Sequence, residues 1–185
     1  MQDTATQTGF SFELTEEQKA VRDAARDFAQ NVLKAGVIER DREQKFPADE
    51  IRQLGELGFL GMMVSPEYGG GGMDTVSYVL AMEEISKVDA SCSVVMSVNN
   101  SLVCWGLEQF GNEEQKRKYL VPLAKGEKIG AFCLSEPEAG SDATSQRTTA
   151  VDMGDHYLLN GTKNWITNGG SASTYLVMAQ TDVAK

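Results

Sequence analysis

Residues that bind zinc are scarce in this sequence. Its 185 residues contain three cysteines, a single histidine (His156) and no Cys-x-x-Cys pair. Structural zinc sites are built from several cysteine and histidine ligands at short spacings. A metal site is therefore not expected, and Cys92, Cys104 and Cys133 are expected to be buried free thiols in a reducing compartment.

Basic residues are also in the minority. Lysine and arginine together number 17, against 27 aspartate and glutamate residues, which gives a net charge of −10 at pH 7. Proteins that bind nucleic acids usually present a basic patch, and no basic cluster stands out along this sequence. We therefore expect no nucleic-acid partner.

The sequence also shows no pattern typical of a targeting peptide or a membrane span. Residues 1–9 have neither the basic start and apolar run of a signal peptide nor the arginine-rich face of a transit peptide, so a cytoplasmic protein is expected. The longest uncharged stretch, 90–107, is interrupted by Asn99, Asn100 and several serines. This stretch therefore predicts a buried helix rather than a membrane span, and no membrane partner is expected.

Two patterns of residue spacing divide the chain. Residues 1–11 are polar and aperiodic and predict a loose tail. From 12 to 126, apolar residues recur at helical spacing behind capping residues, such as the capping box of Thr15 and Gln18, and predict an all-α helical bundle. From 127 to 185, period-two segments between tight turns predict a β domain.

Local signals also place several boundaries within the helical part. Pro47 opens one helix, Asp74 caps another, and an apolar helix follows from about 92 to 110. The run 39–45 alternates in charge and predicts a solvated helix end. The glycine-rich run 65–72 lacks the lysine and the glycine register of a phosphate-binding loop, so it predicts a flexible connector.

The β part is predicted to form a meander. Asn160-Gly161 is a strong hairpin signal, so the residues after it should form a strand. Because alternate residues of a strand share a face, Trp165 and Thr167 are expected to point the same way. The strand-like segments are 129–134, 148–151, 157–159, 164–166 and 175–179.

Hydroxyl groups and one aromatic ring are concentrated in this part of the chain. The apolar run 129–134 leads into a loop of small polar residues that includes Ser135 and Ser141. A planar ring, hydroxyls and free backbone N–H groups suit a planar, heteroatom-rich, redox-active ligand. The residues alone leave an alternative open, in which Trp165 is a core tryptophan and the serines and Thr167 are turn and surface positions.

Two segments resemble the flavin-contacting signatures of the acyl-CoA dehydrogenase family. They are Leu134-Ser-Glu-Pro-x-x-Gly-Ser-Asp142 and Leu159-Asn-Gly-Thr-Lys-x-Trp-Ile-Thr-Asn168, in this order and at this spacing. A third segment, Met96-Ser-Val-Asn-Asn-Ser-Leu102, is similar to the short-chain (butyryl-CoA) branch. The resemblance covers nearly the whole chain, from about 12 to 182, although family members are considerably longer.

The resemblance implies an α+β fold and a specific reaction. The fold would be an N-terminal all-α helical bundle domain followed by the first part of an antiparallel β-barrel-like domain, with the family's C-terminal helical domain absent from this chain. The reaction would be FAD-dependent α,β-dehydrogenation of a short-chain acyl-CoA thioester. Electrons would pass to electron-transfer flavoprotein, and the full-length protein would be a homotetramer.

The resemblance also implies roles for particular residues. Thr167 would bond the N5 edge of the flavin, Ser135 would bond its pyrimidine edge, and Trp165 would pack on the ring system. Ser141 would be shared between the FAD phosphate and the CoA moiety. The other expected flavin contacts are Phe132, Leu134 and Ile166.

The acyl pocket and the catalytic base are less completely specified. Met96 and Leu102 would line the pocket, although core packing is an equal alternative for both. The family's base lies outside the residues of this chain, so residues 1–185 alone are expected to be inactive, and Glu136 is expected to brace its loop. Two other functions stay open: a flavin-dependent monooxygenase or nitroalkane oxidase of the same fold, and a non-enzymatic helical interaction module.

Overall fold

The computed structural model describes residues 12–182. The loose tail predicted for 1–11 lies outside these residues, as do the last three positions of the chain. Helices occupy the first part of the described chain and short strands the second, as the change of pattern predicts. The last of these helices ends at Ala124 and the first strand begins at Gly130. The division into separate domains near Gly126 stays a prediction.

The helical part consists of elements α1 to α6. Helix α5 passes through a π-helical segment, Val98–Cys104, and α6 passes through another, Lys116–Leu120. Short 3₁₀ turns at Leu33–Ala35 and Pro66–Tyr68 lie in the connections. The helices are α1 (Glu16–Asn31), α2 (Val37–Glu43), α3 (Ala48–Glu56), α4 (Thr75–Ser86), α5 (Ala90–Phe110) and α6 (113–124).

Helix α1 begins where the capping box predicts. Thr15 Oγ1 accepts a hydrogen bond from the Gln18 N–H at 3.2 Å, and Gln18 Oε1 accepts one from the Thr15 N–H at 3.0 Å. These two bonds satisfy N–H groups that a helix start leaves without partners. The apolar face that follows buries Val21, Ala25 and Phe28, and α1 packs against α4.

Helix α5 is tied to the rest of the protein by two buried asparagines. Asn99 Nδ2 donates to the Leu60 carbonyl at 2.8 Å, and Asn99 Oδ1 accepts from the Gly130 N–H at 2.9 Å. Asn100 Oδ1 accepts from the Met62 N–H at 2.9 Å. Each side chain satisfies backbone groups that would otherwise be buried without a partner. Helix α5 is therefore anchored both to the loop after α3 and to the first strand.

By length and composition alone, α5 is also long and apolar enough to cross a membrane. Core helices of soluble proteins pass the same criterion. One face of α5 buries Cys92, Met96, Val103 and Cys104 inside this fold, in line with the buried helix predicted for 90–107. The absence of a membrane partner stays a prediction.

The glycine-rich connector 65–72 is ordered by backbone hydrogen bonds. The Gly71 N–H donates to the Gly61 carbonyl and the Gly72 N–H donates to the Val64 carbonyl, both at 2.9 Å. These bonds hold the connector against the segment that follows α3. Composition does not reveal these backbone partners, which lie outside the run, and the flexibility of the connector stays a prediction.

The charged run 39–45 is solvated only in part. Helix α2 ends at Gln44, whose left-handed φ of 53° stops the helix. Arg40, however, points inward and forms ion pairs with Glu50 and Asp89. Its side chain is only 12% exposed, so the prediction of a solvated helix end is wrong at this position.

The strands form two separate pairs rather than the predicted meander. Strands β2 and β3 are antiparallel and are joined through Gly154, whose φ is 95°. Strands β1 and β4 run parallel, so the antiparallel expectation is wrong for this pair, and a barrel is not confirmed. Parallel neighbours require a crossover connection, which local turn signals do not reveal. The strands are β1 (Gly130–Cys133), β2 (Thr149–Asp152), β3 (Tyr157–Asn160) and β4 (Thr174–Val177).

Candidate functional site

The two signature segments, 134–142 and 159–168, meet at the end of β1. Phe132 lies in β1, and Leu134 and Ser135 follow it in half-buried positions. The Ser135 carbonyl accepts a hydrogen bond from the Asn164 N–H at 2.8 Å, and the Leu134 carbonyl accepts one from Lys163 Nζ at 3.0 Å. The fold thus brings the two predicted segments into direct contact.

Glu136 braces the loop that follows the first segment. Its carboxylate accepts hydrogen bonds from the Arg147 N–H at 2.5 Å, the Thr148 N–H at 3.0 Å and Lys163 Nζ at 2.7 Å. Hydrogen bonding to Lys163 first, and then to Thr148 and Arg147, lowers the pKa of Glu136 from 4.5 to about 2. Hydrogen bonds to the ionised form favour that form. Glu136 therefore holds the loop in place as an ionised carboxylate.

Trp165 does not lie on a strand. Residues 161–166 adopt no regular structure, and 167–170 form a turn. The φ of Trp165 is 59°, in the left-handed region, which a β-strand cannot contain and a bulky residue rarely adopts. The prediction that Trp165 and Thr167 share a strand face is therefore wrong. Trp165 is instead 93% exposed, so its indole faces solvent.

Thr167 and Asn168 form the start of the turn that follows. Asn168 has a φ of 66°, and its Nδ2 donates to the Gly130 carbonyl at 2.9 Å. Asn168 Oδ1 is buried and has no hydrogen-bond partner. Within residues 12–182, the hydroxyls of Ser135 and Thr167 also form no hydrogen bond. Both hydroxyls are therefore free to bind a ligand.

Thr167 lines a groove with a volume of about 800 Å³. One wall comes from α2, including Val37 and Ile38, and the opposite wall comes from the first turns of α5, including Val94 and Val95. The groove thus has apolar residues on two facing helices and a hydroxyl at its edge, and its lining also includes charged side chains such as Arg40, Lys45 and Asp89.

Met96 and Leu102 occupy different positions from those expected of pocket residues. Met96 is fully buried in the helical core, and Leu102 is 38% exposed on the surface of α5. Neither residue lines the groove at Thr167, which is lined by Val94 and Val95 instead. The assignment of Met96 and Leu102 to the substrate stays a prediction.

Ser141 and Ile166 complete the predicted set. Ser141 is exposed in the loop after β1, next to Asp142, which accepts hydrogen bonds from Thr144 at 2.6 Å and from Ser145 at 2.5 Å. Ile166 is half-buried between Trp165 and Thr167. Among residues 12–182, no cluster of three or more histidine, cysteine or acidic side chains could hold a metal ion.

Family comparison identifies the fold to which this site belongs. The acyl-CoA dehydrogenase N-terminal domain matches residues 15–127, and the acyl-CoA dehydrogenase middle domain matches residues 131–185. The chain belongs to the acyl-CoA dehydrogenase family. The two signature segments, 134–142 and 159–168, lie within the middle-domain match.

Relatives in this family are close in sequence but longer. A short-chain-specific acyl-CoA dehydrogenase of Clostridium acetobutylicum is 49% identical over 174 residues, which is 94% of this chain and 46% of the relative. The human mitochondrial short-chain-specific enzyme is 47% identical over 174 residues, 94% of this chain and 42% of the relative. The chain thus spans less than half the length of these relatives.

Solved structures agree with this assignment. The butyryl-CoA dehydrogenase of Megasphaera elsdenii matches with a TM-score of 0.90 and 43% identity over 95% of this chain and 47% of that one. A structure described as an electron transferring flavoprotein of Acidaminococcus fermentans matches with a TM-score of 0.91 and 49% identity, over 94% and 46% of the two chains. A Mycobacterium smegmatis glutaryl-CoA dehydrogenase in complex with FADH2 matches with a TM-score of 0.87 and 38% identity, over 91% and 44%.

The site residues of this acyl-CoA dehydrogenase chain fit a flavin. An exposed indole suits stacking on a planar ring system. The unengaged hydroxyls of Ser135 and Thr167 and the unpartnered Oδ1 of Asn168 suit the polar edge of such a ring. Chemically, this combination of donors and acceptors matches the flavin cofactor found in relatives of this family.

Sequence reasoning missed several residues around the site. Lys163 belongs to the second signature, but its reach to Leu134 and Glu136 could not be predicted from the segment alone. Val94 and Val95 were attributed only to an apolar helix. Nothing in the local sequence pattern showed that α2 lies opposite these two valines.

Proposed function

We propose that the full-length protein containing this chain uses FAD to convert a short-chain acyl-CoA thioester into the enoyl-CoA. The observation that carries this proposal is the position of Thr167. Its free hydroxyl lies at the edge of a groove in which apolar residues of α2 and α5 face each other. A reaction that transfers a hydride from a hydrocarbon chain needs such a juxtaposition of apolar surface and hydrogen-bond donor.

The groove supplies the surface for the acyl chain. Ile38 on α2 and Val94 and Val95 on α5 form its apolar walls beside Thr167. Burial of each methylene contributes about 0.8 kcal/mol, so the length of such a groove determines which chains bind well. The high identity to short-chain-specific relatives supports a short acyl chain.

Bound FAD would supply the hydride acceptor, while a base removes the α proton and a double bond forms between the α and β carbons. The hydroxyl of Thr167 would donate to the N5 edge, and that of Ser135 would donate to the pyrimidine edge. Donors fixed before the reaction stabilise the negative charge that develops there. The Trp165 indole would pack on the ring, and the Ser141 hydroxyl, exposed in its loop, would reach a phosphate.

We propose that the catalytic base comes from outside residues 1–185. Glu136 is poorly suited to the role, because Lys163 and two backbone N–H groups already occupy its carboxylate. Its pKa of about 2 means that it would not retain an abstracted proton near neutral pH.

The partners follow from the same assignment. We propose that reduced flavin passes its electrons to an electron-transfer flavoprotein. This proposal is supported by the similar Acidaminococcus structure, which is described as an electron transferring flavoprotein. We further propose a homotetramer for the full-length protein and a cytoplasmic location. Both come from the expectations stated for the sequence.

Chain-length preference tests the proposed function. The full-length protein is assayed with butyryl-CoA and palmitoyl-CoA and an artificial electron acceptor. We expect kcat/KM to be at least about tenfold higher with butyryl-CoA, because a groove of limited length discriminates by methylene count. Comparable turnover of both thioesters would refute the short-chain assignment, and turnover of neither would refute the proposed reaction.

A further inference from the structure

Arg40 forms a buried bridge at one end of the groove. Its Nη1 pairs with Glu50 Oε1 at 2.7 Å, and its Nη2 pairs with Asp89 Oδ2 and with the Leu33 carbonyl, both at 2.8 Å. The side chains of Arg40 and Asp89 are 12% and 4% exposed. The bridge thus joins α2, α3 and the start of α5 in a poorly hydrated environment.

Arg40 and Asp89 both line the groove that Thr167 borders. Asp89 is the N-cap of α5, and its Oδ1 accepts from the Cys92 N–H at 3.0 Å. From there the groove wall continues along α5 to Val95. At a rise of about 1.5 Å per residue, Asp89 lies about 9 Å from Val95 along the helix axis.

Thr167 lies toward the opposite end of this wall. Its neighbour Asn168 is bonded to the Gly130 carbonyl, and the Gly130 N–H is bonded to Asn99, one helical turn beyond Val95. The groove therefore runs along α5 from the hydroxyl of Thr167 toward the Arg40–Asp89 ion pair.

We propose that the Arg40–Asp89 pair closes the far end of the acyl groove and sets the longest acyl chain that the protein accepts. This inference rests on the proposed function. Hydrocarbon pushed against a buried ion pair would remove its remaining hydration without offering a hydrogen bond. Chain atoms that reach the pair therefore lose binding energy instead of gaining it.

The charge of Arg40 is already shared between the carboxylates of Glu50 and Asp89. Arg40 is therefore not free to pair with a carboxylate at the end of an acyl chain. The pair acts instead as a polar end wall against an uncharged hydrocarbon chain.

Substitution of the pair tests this inference in the full-length FAD-containing protein. Arg40→Met keeps the length of the side chain and removes its charge, and Arg40→Met with Asp89→Asn removes both charges while asparagine still caps α5. We expect the ratio of kcat/KM for octanoyl-CoA over butyryl-CoA to rise about tenfold in the double variant, and to rise less in Arg40→Met, where the unpaired charge of Asp89 remains. Arg52→Met is the matched control, since the Arg52–Glu56 pair is exposed and neither residue lines the groove, and the ratio for this variant should equal that of wild type.

The outcomes separate this inference from the proposed function. A wild-type protein that turns over no acyl-CoA defeats the proposed function itself. An active protein whose folded variants keep the wild-type ratio, or lose activity equally on both thioesters, overturns the role of the pair. If neither variant folds, the wild-type protein still tests the inference, because turnover of octanoyl-CoA comparable with that of butyryl-CoA would also overturn it.

Discussion

At the scale of single residues, Lys163 and Glu136 show how two distant segments become one site. Lys163 Nζ donates to the Leu134 carbonyl, to Glu136 and, at 3.4 Å, to Gln146. The side chains of Lys163 and Glu136 are 11% and 5% exposed, so this ion pair is shielded from solvent. The bracing role of Glu136 could be expected from its loop, but no local signal shows which way a long lysine side chain turns.

Lys163→Met should weaken FAD binding without unfolding the protein. Methionine keeps the apolar stem but removes the ion-pair partner of Glu136 and the Nζ donor to the Leu134 carbonyl, so the loop that carries Ser135 should lose its position. We expect the dissociation constant of FAD to rise about tenfold, measured by titration of the apoprotein. Lys19→Met, which removes an exposed ion pair with Glu16, is the control. Equal FAD affinity in a folded Lys163→Met protein would show that the brace does not position the site.

The stability of the protein should depend on Glu136 in acid. The pKa of Glu136 is lowered from 4.5 to about 2 by its hydrogen bonds. Its contribution to the free energy of unfolding is therefore complete above pH 4.5 and is lost as the pH falls toward 2. We expect Glu136→Gln to be less stable than wild type at pH 7, with the difference shrinking below pH 4.5. Urea unfolding at pH 7, 4 and 3 measures this, and a constant difference across the series would contradict it.

At the scale of elements, the second signature shows where turn signals mislead. Asn160-Gly161 predicts a hairpin, but Asn160 is the last residue of β3 and pairs with Thr149. The hairpin forms at Gly154 instead, and the chain after Gly161 leaves the sheet. The left-handed φ of Trp165 is set by contacts beyond the segment, so the propensity of nearby residues does not reveal it.

Gly130→Ala should disturb the element that supports Thr167. A Cβ at Gly130 would lie 2.6 Å from Val103 Cγ1 and 2.9 Å from Val103 Cβ, in a fully buried position. We expect a loss of about 1 to 3 kcal/mol in the free energy of unfolding, as for other overpacked sites, together with weaker FAD binding. Denaturant titration and FAD titration measure both effects.

Two further variants complete this test. Gly170→Ala is the matched control, since a Cβ there meets nothing within 4 Å. Adding Val103→Ala to Gly130→Ala should relieve the clash and restore FAD affinity. Unaltered stability in Gly130→Ala would mean that β1 can move away from α5 at little cost.

At the scale of the whole molecule, the helical part was predictable and the strand pairing was not. The capping boxes at Thr15 and Asn112 depend on residues three apart, so the sequence carries them directly. The parallel pairing of β1 with β4 joins segments far apart in the chain, and the sequence of neither strand indicates which strand pairs with it. The free hydroxyl of Thr167 was predicted from family resemblance, whereas the groove beside it depends on how α2 meets α5.

The rate of flavin reduction tests the central role of Thr167 most directly. Full-length wild-type, Thr167→Ala and Thr162→Ala proteins, each carrying FAD, are mixed with butyryl-CoA without oxygen, and bleaching of the flavin absorbance is followed. A hydrogen bond to a charged group is worth about 1.5 to 3 kcal/mol, so Thr167→Ala should keep its FAD and bleach about ten- to a hundredfold more slowly than wild type. The exposed Thr162 should have no effect. Equal bleaching rates in all three proteins, or no bleaching of wild type, would contradict the account.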